Sequence, residues 1–292
     1  TVAHNSRKKM ENLAYLVTNK FITVAVDSHL EISVGEGKEK VDLTIPNAKK
    51  VEKISDTTII SILGLPHKIT DLYNYILGIK NSDKSYDSVI EDLESIYNSN
   101  LKSIVENLKK ITSVIPKYSD SITNELDQKA LLKHFEKEPE LLQIAKEAIE
   151  LMQTKTKSGT QILLFTRENN FNYFGKYLSI GMSFSGSKSQ KLPKDHFHFG
   201  VSSISEKSEE IEKIQAEKIA EIQSKIKDDW ELDIEKVNDF ENLGKEIMTE
   251  VLSKISPFKS KPNIIFYELN ETSKNQFVEP EKKLIPIKFS RK

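Results

Sequence analysis

The sequence predicts an α+β protein of layered αββα type, and three observations carry that expectation. β-rich and helical stretches follow one another in blocks (β, α, β, α, β), whereas the βαβ units of a parallel sheet would alternate singly. Apolar residues make up 37% of the chain and charged residues 30%, a balance that supports a modest core under a well-solvated surface. No fixed-period repeat or low-complexity linker divides the 292 residues, so the simplest count is one domain over 1–292 with 82–157 as a helical insertion.

The opening block is β. Residues 13–18 (LAYLVT) and 21–26 (FITVAV) are apolar and rich in β-branched side chains, and Asn19-Lys20 between them suits a tight hairpin. A polar, Gly-containing stretch runs from Asp27 to Lys40, and a short VDLTI then leads to Pro46. Lys50 to Ile54 alternates at period two, and Thr57 to Leu63 is a further β-rich run. At Pro66 the period changes. Apolar residues recur at three and four from Ile69 to Ile79 and again from Tyr86 to Ile111, which predicts helices broken near Pro116. Another helical stretch is expected from about Asp120 to Thr154.

Strands return at 160–166, 171–184 and 197–202, with Glu168-Asn169-Asn170 as a hairpin turn. Residues 205–255 read as two long charged helices, the first with Ile211, Ile214, Ile219, Ile222 and Ile226 on one stripe. Pro257 and Pro262 stop the second. A strand from Asn263 to Leu269 follows, and a terminal strand is expected at Leu284 to Phe289.

Charge and composition remove several function classes. With 43 Lys+Arg against 44 Asp+Glu the net charge is -1, which lacks the basic footprint of a dedicated nucleic-acid binder, so no nucleic acid is expected. No apolar run approaches the roughly 20 residues that cross a bilayer, and TVAHNSRKK is too polar for a signal peptide. A soluble, cytoplasmic chain without a membrane partner is expected. The absence of cysteine excludes disulfides, thiolate zinc sites and a Cys nucleophile.

Smaller signals have plain readings. His196 and His198 flank Phe197 after Asp195 with ligand-like spacing on a presumed strand, but a third ligand is not visible, and two exposed histidines at a strand entrance are the simpler reading. Gly181 to Ser187 is Gly/Ser-rich, lacks the spacing of a phosphate loop and reads as a mobile turn. Tyr173, Phe174, Tyr177 and Phe184 read as hairpin packing, and the isoleucine stripe as packing on the chain's own sheet. No metal or cofactor is expected.

The segment Phe21-Ile22-Thr23-Val24-Ala25-Val26-Asp27-Ser28-His29, then Asn47-Ala48-Lys49-Lys50-Val51-Glu52-Lys53-Ile54, then Ile62-Leu63-Gly64, resembles the first half of a proteasome-type subunit of the N-terminal nucleophile hydrolases. In that family one strand ends in Ala-Asp-Ser or Ala-Asp-x-Arg, a later one carries Lys-Lys-Val or Lys-Ile, and a third ends in a Gly turn that opens a helix. The later elements follow the same order, including Gly-Val-Ser-Ser at 200–203. The resemblance implies a four-layer αββα sandwich, here with an expanded helical segment over 82–157 that could serve ring or partner contacts.

For chemistry it implies a threonine peptidase, in which Thr1 attacks an amide carbonyl and its own α-amino group, with a pKa near ~8, accepts the proton. Lys50 would be the assisting lysine, Asp27 its carboxylate partner, Gly64 the oxyanion donor through its N–H, and Ser203 a supporting serine. Two departures bear on this. The register of the first hairpin puts the family's nucleophile position near Met10, with Thr1 upstream, and Ser6-Arg7-Lys8-Lys9 lacks strand character, as in the extensions of non-catalytic outer-ring subunits. The loop Ser256 to Ser260 also lacks the Asp that active members place there. The leading expectation is therefore a proteasome-like subunit of an oligomeric, ring-type assembly whose catalysis is lost. The alternative is an active N-terminal-threonine amide hydrolase or peptide transferase acting on peptides or proteins. A third reading is an unrelated helical interaction protein with a β core.

Overall fold

A computed structural model describes residues 8–9, 12–34, 41–63, 74–79, 82, 84–85, 87–96, 129, 132–143, 145–146, 161–168, 171–180, 183–191, 196–203, 208–225, 234–256, 262–274, 276–278, 280 and 283–286. Two compact units are present, one of residues 1–84, 160–177 and 186–292, the other of 85–159 and 178–185.

The first unit is built on a hairpin. β2 (Asn12–Val17) and β3 (Ile22–Asp27) pair antiparallel, and Thr18 closes their turn. Its N–H bonds the Phe21 carbonyl at 2.9 Å, and its hydroxyl accepts the N–H groups of Lys20 and Phe21 at 3.1 and 3.0 Å. Such a side-chain turn is what threonine supplies before two polar residues. β12 (His198–Ser203) pairs with β2, and β13 (Ile264–Leu269) with β3, giving a four-stranded antiparallel sheet in the order β12-β2-β3-β13.

Both faces of this sheet are apolar, so both need cover. On one face lie Ala14, Leu16, Ala25, Phe199 and Val201, packed against α1 (Ser208–Lys225) and α2 (Ile234–Ile255) through Ile211, Ile222, Phe240, Ile247 and Val251. Lys218 of α1 clasps the helix pair, meeting Glu250 of α2 at 2.6 Å and Glu221 at 2.7 Å. Hydrogen bonds from Lys218 and Lys254 hold the Glu250 carboxyl down at about 2, against the opposing effect of partial burial.

On the other face lie Leu13, Tyr15, Val17, Val24 and Val26, which share a core with Val51, Ile59, Leu63, Leu163 and Phe165. Those residues belong to a second sheet, ordered β11-β10-β9-β8-β7, of β7 (Val51–Ser55), β8 (Thr58–Leu63), β9 (Gln161–Glu168), β10 (Phe171–Ile180) and β11 (Ser183–Lys191). Tyr15 meets Phe165 edge-on with ring centroids 5.1 Å apart, a favourable geometry for two aromatic rings. The α+β class thus holds, with antiparallel sheets and helices, and within the first unit the layers run helix pair, sheet, sheet.

Several sequence expectations need correction. Lys8–Lys9 does form a short strand, β1, although Ser6 to Lys9 reads as non-strand. It pairs antiparallel with β4 (Leu30–Val34) in a register that sets Lys9 opposite Glu31, so an existing strand edge overrides weak propensity. β4 lies inside the polar stretch after Asp27 and pairs also with β5 (Val41–Ile45). The Gly/Ser-rich run read as a turn is largely β11, the outer strand of its sheet, where main-chain pairing tolerates small residues. Of the expected terminal strand, Ile285–Pro286 forms β14, parallel to β6 (Ala48–Lys49), and residues 287–289 lie outside the described residues.

In the second unit, 87–96 is helical with Val89 and Leu93 buried one turn apart. The stretch expected as one helix to Thr154 is interrupted at 135–138, because Pro139 keeps Glu138 out of the helical region and opens the next segment itself. Ile226 and residues 97–128 and 147–160 lie outside the described residues.

Gly200 shows how tightly the sheet is filled. It stands directly across from Tyr15, and a Cβ there would sit 2.3 Å from the phenol ring. Gly200→Ala should therefore lower stability by about 1–3 kcal/mol in urea unfolding, the usual range for overpacking, and an unchanged midpoint would show that Tyr15 does not lie on Gly200.

Candidate functional site

The strand directions bring seven chain segments to one end of the two-sheet core. Asn12 opens β2, Asp27 closes β3, Ser203 closes β12, Asn263 precedes β13, and the register sets Ser203 against Asn12. From the second sheet, β7 begins just after Lys50, and β8 ends at Leu63 opposite Gln161.

Asp27 is buried, and both of its oxygens are engaged. Oδ1 accepts the His29 main-chain N–H at 3.1 Å, an Asx turn, and lies 3.1 Å from the His29 ring Nδ1, while Oδ2 accepts the Ser256 hydroxyl at 3.1 Å. The turn aims the His29 carbonyl at Lys50, whose Nζ donates to it at 2.6 Å. Lys50 is itself buried, and its own carbonyl accepts the Ser61 hydroxyl at 3.0 Å. The carboxylate and the ammonium are thus joined through His29.

The segment that delivers Lys50 is fixed by the turn at Pro46-Asn47. Asn47 adopts φ 57°, a left-handed conformation that asparagine tolerates better than most residues. Its side chain accepts from the Asn263 amide, which also donates to the Ser28 hydroxyl at 2.8 Å, and Ala48 N–H bonds the Ser28 carbonyl at 2.8 Å. Ser28 N–H in turn bonds the Asn263 carbonyl at 2.9 Å.

His29 Nδ1 faces two partners of opposite kind, Asp27 Oδ1 at 3.1 Å and the Asn263 N–H at 3.3 Å. One ring nitrogen can donate to the first or accept from the second, never both, so the proton on Nδ1 selects the pairing. At the facing corner, the Ser203 hydroxyl donates to Asn12 Oδ1, and the Gln161 amide donates to the Ser203 carbonyl at 3.0 Å. On the core side, Tyr15 Oη lies 3.2 Å from His198 Nε2, and burial pushes the phenol well above its ordinary value.

Of the residues named from the sequence, Lys50 and Asp27 stand together around His29, and Ser203 stands at the same end with Asn12. Thr1, Met10 and Gly64 lie outside the described residues. Sequence reasoning did not single out His29, Ser256 or Asn263 as members of this network. The Asp-x-His spacing of an Asx turn was the available signal for His29, whereas Ser256 and Asn263 arrive from more than 200 residues away and left none. His196 is exposed and precedes β12, while His198 stacks on Tyr15 with centroids 5.5 Å apart. Among the described residues no group of three or more His, Asp or Glu is placed to hold a metal ion, and no helix is long and apolar enough to cross a membrane.

No family model matches the chain, and no curated protein matches it.

Asp27→Asn tests the network while keeping its shape. It sets an amide NH2 against donors and should cost about 1–3 kcal/mol in urea unfolding, the penalty for a buried unsatisfied group; a change below a few tenths would show that the carboxylate is not committed to His29 and Ser256.

Proposed function

We propose that the chain is a proteasome-like subunit on the N-terminal nucleophile scaffold, acting in an oligomeric, ring-type assembly with its hydrolytic chemistry lost. One observation carries the loss of catalysis. Asp27 spends both oxygens on His29 and Ser256, and the Lys50 ammonium donates to the His29 carbonyl, so the charges that would support a nucleophile are tied into the fold. Such tying is the usual fate of a buried charged pair kept for structure.

The scaffold part of the reading rests on the strand order and on a demand for cover. The hairpin β2–β3 lies centrally in one sheet, flanked by β12 and β13, and packs on a second sheet that carries the lysine-bearing segment. The opposite face of that second sheet bears Ile54, Ile60, Ile162 and Leu164, all buried, which calls for a fourth, helical layer. Assembly with like subunits follows from the resemblance, and a cytoplasmic setting agrees with a sequence free of cysteine.

The alternative, an active threonine-type amide hydrolase using Thr1, is favoured by a different observation. Asn12, Asp27, Lys50 and Ser203 meet at the end from which β2 starts, where a nucleophile preceding that strand would enter.

Mass photometry across nanomolar to micromolar protein, alone and with proteasome-type subunits, should show species of several copies; a monomer throughout would overturn the assembly. Incubation with a β-lactone or epoxyketone should leave the intact mass unchanged, and an adduct on Thr1 would overturn the loss of catalysis in favour of the hydrolase.

A further inference from the structure

We propose that the outer edge of β12 at Phe199, with the cavity beside it, binds an extended, uncharged peptide segment through a pair of main-chain hydrogen bonds. Thr18 N–H bonds the Phe21 carbonyl, so the even-numbered residues of β2 turn their main-chain groups toward β3, and Leu13, Tyr15 and Val17 turn theirs toward β12. Their register partners Ser202, Gly200 and His198 close that ladder. Phe199, Val201 and Ser203 therefore turn N–H and C=O away from the sheet, on a strand that is the outermost of its four.

Two of these three positions have one main-chain group capped by a side chain. Val201 N–H donates to Gln215 Oε1 of α1 at 3.0 Å, and the Ser203 carbonyl accepts from Gln161 at 3.0 Å. For Phe199 no cap is found among the described residues. An edge protected by side chains at two positions and left open at a third is selective, since uncapped edges otherwise invite indiscriminate pairing.

The open position borders a cavity of about 350 Å³, lined by Phe197, His198, Phe199, Gln215, Ile219 and Gln223 together with His196. His198 and Phe199 project to opposite faces of β12, so a cavity that touches both lies over the strand's edge. Its size falls at the small end of the roughly 300–1,000 Å³ typical of ligand sites. An N–H and a C=O side by side in strand geometry are matched by one residue of an extended chain, which exchanges both bonds.

The lining says which chain. Among the described residues the lining is aromatic, aliphatic, imidazole and amide, with no Lys, Arg, Asp or Glu, which favours an uncharged segment over a charged one. The occupant is accordingly an internal or blocked stretch with small apolar side chains. The site is distinct from the Asp27–Lys50 network and holds whether or not the chain assembles or hydrolyses.

The test uses the 15N-labelled full chain and the blocked peptide acetyl-Val-Ala-Val-amide, titrated to millimolar concentration. The Phe199 amide resonance should shift more than those of His198 and Gly200, and its hydrogen exchange should slow at least several-fold. A depsipeptide with an ester in place of the Ala N–H should bind about five-fold more weakly, the loss of one hydrogen bond, and Ile219→Asp should abolish the shift. No Phe199 response at millimolar peptide, or equal binding of the depsipeptide, would overturn the proposal without reference to the folding of the variant.

Discussion

The hairpin β2–β3 has no solvent face, and the described architecture follows from that. Every residue of Asn12–Val17 and Ile22–Asp27 is buried, which for a two-stranded ribbon means that each pleat must find a separate apolar partner. Leu16 and Ala25 find it in the helix pair, Tyr15 and Val24 in the second sheet. The two sides are packed without slack. Gly200 leaves room for the Tyr15 ring, and Gly244 lets α2 approach so closely that a Cβ there would stand 2.5 Å from Leu16.

The same constraint places the polar end. Strands buried on both faces carry most of their polar side chains near their ends, and Asn12, Asp27 and Ser203 gather where β2 starts and β3 and β12 finish. Once there, each must be satisfied inside the protein, because an unpaired buried polar group is costly. Asp27 takes the His29 N–H and the Ser256 hydroxyl, Asn12 takes the Ser203 hydroxyl, and the His29 carbonyl takes Lys50. A network of this kind ties the end of β3 to the start of β7.

Much of this was legible in the letters. The hairpin around Asn19-Lys20, the strands at Val51–Ser55 and Thr58–Leu63, and the two long helices follow from period and turn chemistry, and the block order gave the α+β class. What stayed hidden has a common cause. β1 exists because β4 offers an edge, and β11 because β10 does; neither Lys8-Lys9 nor a Ser/Gly run announces a strand by itself. Asp27 and Lys50 were readable as a pair, but the bond through His29 needed the backbone curl after Asp27, and Ser256 and Asn263 come from chain too distant for any local pattern.

Native-state hydrogen exchange tests the central claim most directly. If the hairpin is the doubly covered centre, the amides of residues 13–17 and 22–26 should exchange only through global unfolding, with the highest protection in the chain. Protection lower than that of α1 and α2, with exchange through local opening, would contradict the account, since a strand pair that opens while its helical cover stays folded cannot be what both layers are built upon.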